Sequence, residues 1–254
     1  MNTPKELLGK LDASAVGTRV LLRLAQEILL GFRALGDLTG TVSDAMDQCG
    51  IAGAVPGSTL KPTDPAARIV GQAVTVLNRR TEQTVAAAVA RNVSGLREIE
   101  AHNLAGPGDI LVIQGVSGCS SLGGISATVG KRQGEAGAVV DGGVRDIDHS
   151  RSIGYPIWSS SVSPITGKWR IETVAVNVPV VIAGISVRPG DLVIADEVGV
   201  CFVPLDRAAE VLAVSQASAR SDEERLAKLA AGIPLPEFVA IPRRRDKLPD
   251  RGRG

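Results

Sequence analysis

A chain of 254 residues, 44% of them hydrophobic, can bury a sizeable core in one or two domains. Lys plus Arg number 28 against 27 Asp plus Glu, a net charge of +1, and aromatic residues are only 2%. That balance excludes a basic footprint and base-stacking platforms, so no nucleic-acid partner is expected. No stretch approaches the ~18 uncharged apolar residues of a membrane span. The opening Met1-Asn-Thr-Pro-Lys5-Glu6 lacks the apolar run of a signal peptide, so the expectation is a cytoplasmic protein with no membrane partner. The core must be Val, Ala, Leu and Ile around 29 glycines, which favours close-packed α/β layers. Cys49, Cys119 and Cys201 are odd in number and far apart, and read as reduced thiols. Without a CxxC pair, and with two histidines, a Cys/His zinc site is not expected.

In chain order, residues 5–35 read as helix, with Leu21, Leu22, Leu24, Ile28 and Leu29 mostly on one side and Gly36 as a stop. This arm could pack on another subunit or on its own core. Residues 41–50 read as a short helix with a Ser/Asp cap and a glycine end. A strand is expected over 67–77, a helix over 84–103, and a strand over 110–113 after the turn Pro107-Gly-Asp109. Residues 115–124 form a Gly/Ser loop, 126–134 a helix, 137–141 a buried strand, and a short helix ends at 150–154 before a strand opening at 155–158. This alternation is α/β. Beyond Lys168 the chain turns strand-rich, over 169–176, 178–185, 192–195 and 200–203, before a long helix over 206–231. The division is a helical arm (1–36), one compact α/β domain (37–240) and a charged tail (241–254) without apolar residues from Arg243 to Arg245 or from Arg251 to Gly254, expected to be disordered.

The chemistry concentrates in Gly137-Ala-Val-Val-Asp-Gly-Gly-Val-Arg-Asp146. Asp141-Gly142-Gly143 is expected to break the strand with a tight turn. Arg145 can grip a carboxylate with two parallel hydrogen bonds, and Asp146 is a hard oxygen ligand for a divalent cation. The alternative is a loop-capping ion pair. The loop Gly115-Val-Ser-Gly118-Cys-Ser-Ser-Leu-Gly123-Gly124 lies between a strand and a helix, a setting that suits anion binding by free N–H groups, or simply a turn. It is neither GxGxxG nor a P-loop. Cys119 has no visible His partner for nucleophilic work. His102 reads as a surface or capping residue, and His149, three residues beyond Asp146, could reach the same site.

The run from Gly123-Gly124 through Asp141-Gly-Gly-Val-Arg145-Asp146 resembles the RraA-like superfamily. Further matches are Val42-Ser-Asp44-Ala, Arg68-Ile-Val-Gly71-Gln-Ala-Val-Thr75-Val, Pro107-Gly-Asp109-Ile-Leu-Val, Val178-Pro-Val-Val and Val187-Arg-Pro-Gly-Asp191-Leu-Val-Ile-Ala-Asp196. The superfamily includes class II 4-hydroxy-4-methyl-2-oxoglutarate/4-carboxy-4-hydroxy-2-oxoadipate aldolases and regulators of ribonuclease E, and its members are often labelled demethylmenaquinone methyltransferases. The resemblance implies a swivelling β/β/α-type α/β sandwich, here with an N-terminal helical extension, assembled as a trimer or hexamer. It implies that Arg145 binds a pyruvate carboxylate and Asp146 holds Mg or Mn. Gly123, Gly124 and Ile125 would present backbone N–H groups to the same unit. Glu223 or Glu224 of a neighbouring subunit would complete the site. Two departures stand out: Gly124 replaces the usual first Asp, and His149 replaces the usual last acid. Val198 also stands where an Asp is usual.

The resulting expectation is a divalent-metal-dependent lyase that cleaves a C–C bond of a 2-oxo acid, by retro-aldol reaction or oxaloacetate decarboxylation, through a metal-stabilised pyruvate enolate. His149 is the candidate base for a substrate hydroxyl. The alternatives are a non-catalytic regulator or a lyase or hydrolase of the same fold with another substrate. A methyltransferase is disfavoured, because no SAM-binding Gly-rich motif follows an early strand.

Overall fold

Strand residues alternate between faces, and the apolar runs of this chain supply a core on both sides at once. In the computed structural model, which describes residues 5–241, Val74, Val76, Leu111, Ile113, Ala138 and Val140 enter one buried cluster. Their neighbours Ala73, Ile110, Val112 and Val139 enter another. The elements run α1 (Gln26–Arg33), α2 (Leu38–Gln48), β1 (Ala54–Pro56), β2 (Lys61–Pro62), β3 (Ile69–Arg80), α3 (Val85–Arg91), α4 (Ile99–Leu104), β4 (Ile110–Gln114), β5 (Ser120–Leu122), α5 (Gly124–Gln133), β6 (Gly137–Val144) and α6 (Ile147–Ser152). They continue as β7 (Ile157–Val162), β8 (Ile171–Val176), β9 (Val180–Ile182), β10 (Ile185–Val187), β11 (Leu192–Ala195), β12 (Gly199–Val203), α7 (Ala208–Ala230) and α8 (Leu235–Val239).

The main sheet is mixed, in the order β1-β12-β11-β3-β4-β6-β7-β2, with β8 joined to β3 and β5 to β6. Its centre, β3-β4-β6-β7, is parallel, as the α/β alternation requires. The strand-rich second half pairs antiparallel, through β11 and β12 and through β8. The single α/β domain expected from the sequence therefore stands. A third apolar cluster holds α1, α2 and α7 against β11 and β12.

Several expected elements are corrected. The arm is not a helix over 5–35. Only Gln26–Arg33 is α-helical, after a 3-10 turn at Ala13–Ala15. The rest runs over the chain's own core. The Gly17 N–H donates to the Val176 carbonyl at 2.9 Å, and the buried Glu100 carboxylate accepts the N–H groups of Leu8 at 2.8 Å and Lys10 at 3.2 Å. Arg23 forks onto Asp109. Polar anchoring of backbone groups, together with burial of Leu11, Val16 and Leu21 in the core, fixes the arm's path without a continuous helix. The helix expected over 84–103 is two short helices, because Asn92 takes a left-handed conformation and ends the first. The second helix begins earlier than expected, at Leu38, and Asp37 makes no side-chain cap bond. The segment expected as one strand over 178–185 is the first half of the separate hairpin β9–β10. The charged tail lies outside the described residues, apart from Ile241.

The predicted turn at Asp141-Gly142-Gly143 does not exist: β6 runs through it to Val144. The glycines serve neighbouring backbone instead. A Cβ on Gly143 would lie 2.5 Å from the Cys119 carbonyl oxygen, and one on Gly142 would lie 3.0 Å from the Val116 nitrogen. That room lets the loop 115–119 double back, so that β5 takes up the pairing with β6 where β4 leaves off at Gln114. The long β6 carries Arg145 and Asp146 beyond the body of the sheet, beside the start of α5.

Candidate active site

Asp146 caps the step from β6 into α6 in a left-handed conformation, φ 55°. Asp is among the few Cβ-bearing residues that tolerate that region. The bend turns its carboxylate onto the glycine turn before α5, where Oδ2 accepts the Gly124 N–H at 2.9 Å. Gly123 has to be small: a Cβ there would sit 3.0 Å from Asp146 Oδ2 and 3.2 Å from Arg145 Nε. Arg145 Nε stands 3.7 Å from Asp146 Oδ2, too long for a strong pair. The Arg145 Nη groups have no hydrogen-bond partner among the described residues. The side chains are 35% and 48% exposed, so a held but unsatisfied guanidinium faces solvent beside a carboxylate with one oxygen unengaged. This is not the closed ion pair that the capping alternative requires.

These residues line one cleft with Gly123, Gly124 and Ile125, as expected, and with residues the sequence reading passed over: Glu98, Ser126 and Lys168. Lys168 brings a second cation whose ammonium has no partner among the described residues. His102, expected at the surface, is instead 1% exposed and lines the cleft floor. Its Nδ1 lies 2.7 Å from Glu135 Oε1 and its Nε2 lies 2.9 Å from Ser126 Oγ. Tyr155 donates to the other Glu135 oxygen at 2.6 Å. Glu135 is therefore engaged at both oxygens, by Tyr155 and by His102 Nδ1. Burial pushes the Glu98 carboxyl above the usual carboxylate range, partly offset by the Ser126 hydroxyl and the charge of His102. Burial, with the Glu135 charge, also pushes the Tyr155 hydroxyl well up, so it stays a donor.

Three expected site residues do not line this chain's cleft. His149 is exposed on the outer side of the glycine turn and does not line the cleft. The Thr128 hydroxyl donates to the Gly124 carbonyl at 2.7 Å and lies 2.9 Å from His149 Nε2, so the imidazole is engaged on the outer side of the turn. Glu223 and Glu224 are exposed on α7, away from this chain's own cleft, where Glu223 lines a groove with Gly36 and Asp37; their expected role was in a neighbouring subunit's site. The two departures noted in the sequence touch each other: a Cβ on Gly124 would lie 3.1 Å from His149 Cδ2. The imidazole occupies the space that a side chain at 124 would need.

A loop-borne thiol attack finds no support. Cys119 is 1% exposed, and burial together with Asp196 pushes the Cys201 thiol up to about 12. Among the described residues no group of three or more His, Cys, Asp or Glu side chains is arranged to hold a metal. The chemistry of the donor set therefore fits a cation only in part. Asp146 could give one hard oxygen, which suits an ion such as Mg that keeps several waters.

A model of the RraA-like family (Aldolase/RraA) matches residues 39–202. Protein DlpA of Legionella pneumophila is 30% identical over 76% of this chain, which spans only 30% of DlpA's length. A Halalkalibacterium halodurans protein named "Putative 4-hydroxy-4-methyl-2-oxoglutarate aldolase" is 31% identical over 74% of this chain and 82% of its own. Among solved structures, an uncharacterized protein from Pseudomonas syringae superposes with a TM-score of 0.72 at 28% identity, covering 86% of this chain and 99% of that one. Streptomyces coelicolor RraAS2, described as an unusual member of the RNase ES inhibitor RraA family, superposes with a TM-score of 0.66 at 28% identity, covering 82% and 99%. The chain belongs to the RraA-like family.

Proposed function

We propose that the protein is a lyase that cleaves a C–C bond in a hydroxylated 2-oxo acid carrying a second carboxylate, releasing pyruvate or a close analogue. The observation that carries this reading is a pair of cations on one cleft beside Asp146: Arg145, whose Nη groups have no hydrogen-bond partner among the described residues, and Lys168, whose ammonium has none there either. A guanidinium with free Nη groups offers a fork for the carboxylate next to the 2-oxo group. Lys168 offers a point charge for the distal carboxylate. The aldolase name of the 31%-identical relative supports the reaction class. A divalent cation, Mg or Mn, held by the free oxygen of Asp146, would polarise the 2-oxo group when bound. The Gly124 N–H keeps the Asp146 carboxylate aimed, and the glycine turn leaves the cleft open at that point.

The same reading includes a homo-oligomer, trimer or hexamer. Ile125 at the cleft is 82% exposed, and Val162, just beyond the Arg-Asp step in the next strand, is 62% exposed, apolar surface that a second copy would cover. Light scattering at micromolar protein tests it, and an active monomer refutes it.

The decisive assay measures pyruvate release from a panel of 4-hydroxy-2-oxo diacids and from oxaloacetate, with Mn and with chelator. Metal-dependent release from at least one is expected. No release from any, together with no Mn binding by calorimetry at millimolar concentration, would favour the binding-protein reading suggested by the RraA relative.

A further inference from the structure

Retro-aldol cleavage needs a group that takes the proton of the substrate hydroxyl and later gives a proton to the carbon left behind. His149 does not line the cleft and its Nε2 is taken up by Thr128 at 2.9 Å, and Arg145 and Lys168 are cations. Within the cleft wall, one carboxylate is both inside the cavity and joined to a buried chain of proton carriers. Glu98 stands at the start of α4, one turn before His102 on the same helix, and Ser126, whose hydroxyl lies 2.9 Å from His102 Nε2, lines the same stretch of the cleft.

We propose that Glu98 is the proton-transfer residue of this cleft, backed by a relay through Ser126 and His102 to Glu135. This rests on the lyase reading and deepens it. The geometry allows two proton arrangements with the same heavy-atom positions. In one, Glu98 is ionised and accepts the Ser126 hydroxyl proton, Ser126 accepts from His102 Nε2–H, and the imidazolium is held by Glu135. In the other, Glu98 carries the proton and donates to Ser126, whose hydroxyl donates to the bare Nε2 of a neutral His102. In both, Nδ1 faces Glu135 at 2.7 Å, and Tyr155 donates to its other oxygen. Moving one proton along each of two hydrogen bonds converts one state into the other.

The reaction balances without any other reactant. Glu98 takes the hydroxyl proton, and the O–H electron pair becomes the new C=O bond of the departing carbonyl product. The C–C bond breaks, and its pair passes into the enolate of the pyruvyl fragment. Glu98 then returns the proton to that carbon, giving the methyl group. While the products separate, Glu98 itself holds the proton, and burial favours that neutral form. The charged groups around Glu98 are His102 on its own helix, Glu135 behind that, and Arg145, Asp146 and Lys168 across the cleft.

The test uses the full-length protein with Mn. Wild type in D2O should exchange the methyl protons of pyruvate, read by proton NMR. Glu98→Gln should lose that exchange by about 100-fold or more, and kcat of cleavage likewise, with KM within about threefold. Ser126→Ala should keep part of the activity but move the pH at which kcat falls. A second readout does not depend on turnover. A carboxyl whose folded pKa is raised weakens the fold when ionised, above its folded pKa, and this cost disappears as pH falls below the unfolded value. Glu98→Gln should therefore raise Tm at pH 8, with the gain shrinking towards pH 4.5. Wild-type exchange that Glu98→Gln retains in full, or a kcat–pH profile unchanged in both variants, overturns this proposal and leaves the lyase reading standing. No exchange and no cleavage by wild type overturns both.

Discussion

The two walls of the cleft are built on opposite electrostatic terms. On the β6–α6 side, Arg145 and Asp146 are one-third to one-half exposed, loosely paired at 3.7 Å and largely unsatisfied. On the α4–α5 side, His102 and Glu135 are almost fully buried and every polar atom of the imidazole is hydrogen-bonded. Groups left unsatisfied in water cost little and remain available to a ligand. Groups buried and satisfied hold each other fixed, and are costly to break. One wall is built to receive charge from outside, and the other to keep a proton inside.

Single substitutions should separate these roles. Arg145→Ala should lower kcat/KM on the order of 10³-fold, the scale for losing one preorganised charge-stabilising donor. Its Tm should stay within about 2 °C, since exposed loose ion pairs are worth under ~1 kcal/mol. Glu135→Ala should do the reverse in stability. It leaves His102 Nδ1 buried without a partner and the Tyr155 hydroxyl with only its longer bond to the Gly137 carbonyl, at 3.3 Å, which should cost about 3 kcal/mol in urea unfolding. If Arg145→Ala unfolds the protein while Glu135→Ala does not, the contrast between the walls is wrong.

A smaller effect probes the junction between the Arg-Asp step and the glycine turn. Gly124→Asp should destabilise by about 1–2 kcal/mol, because its Cβ meets His149 Cδ2 at 3.1 Å and its charge faces Asp146. Adding His149→Asp removes the steric part, so the double variant should recover part of the loss. With three carboxylates together, its Tm should rise on adding Mn more than that of wild type. Strict additivity with no gain from Mn would show that the two positions are independent.

The walls also differ in how far the sequence revealed them. The Arg-Asp step lies on ten consecutive residues, so residue types alone point to it, along with the parallel α/β core that carries it. Even there the turn at 141–143 misled, because glycines admitting a neighbouring backbone look the same in sequence as glycines making a turn. Glu98, His102, Ser126, Glu135 and Tyr155 span nearly sixty positions and meet only when α4 packs on α5. The one local signal was Glu98 and His102 at a spacing of four, which on a helix shares a face. The arm was misread for a related reason: alongside its buried leucines, it is anchored by Glu100 and Asp109, about 90 residues away, which the local pattern does not show.

Asp146 itself offers the finest discrimination, since it combines a backbone duty with a chemical one. Asparagine tolerates the left-handed region and keeps an oxygen for the Gly124 N–H, but brings no charge to a cation. Alanine keeps neither advantage. Asp146→Asn should therefore stay within about 0.5 kcal/mol of wild-type stability, while Asp146→Ala should lose about 2 kcal/mol, roughly one from the backbone and one from the hydrogen bond. Both should be equally inactive in the metal-dependent assay. Thermal melts at one pH, run beside pyruvate release, give both readings. If Asp146→Asn retained metal-stimulated activity, the carboxylate would be a structural cap, and the cleft's charge-receiving wall would reduce to Arg145 and Lys168.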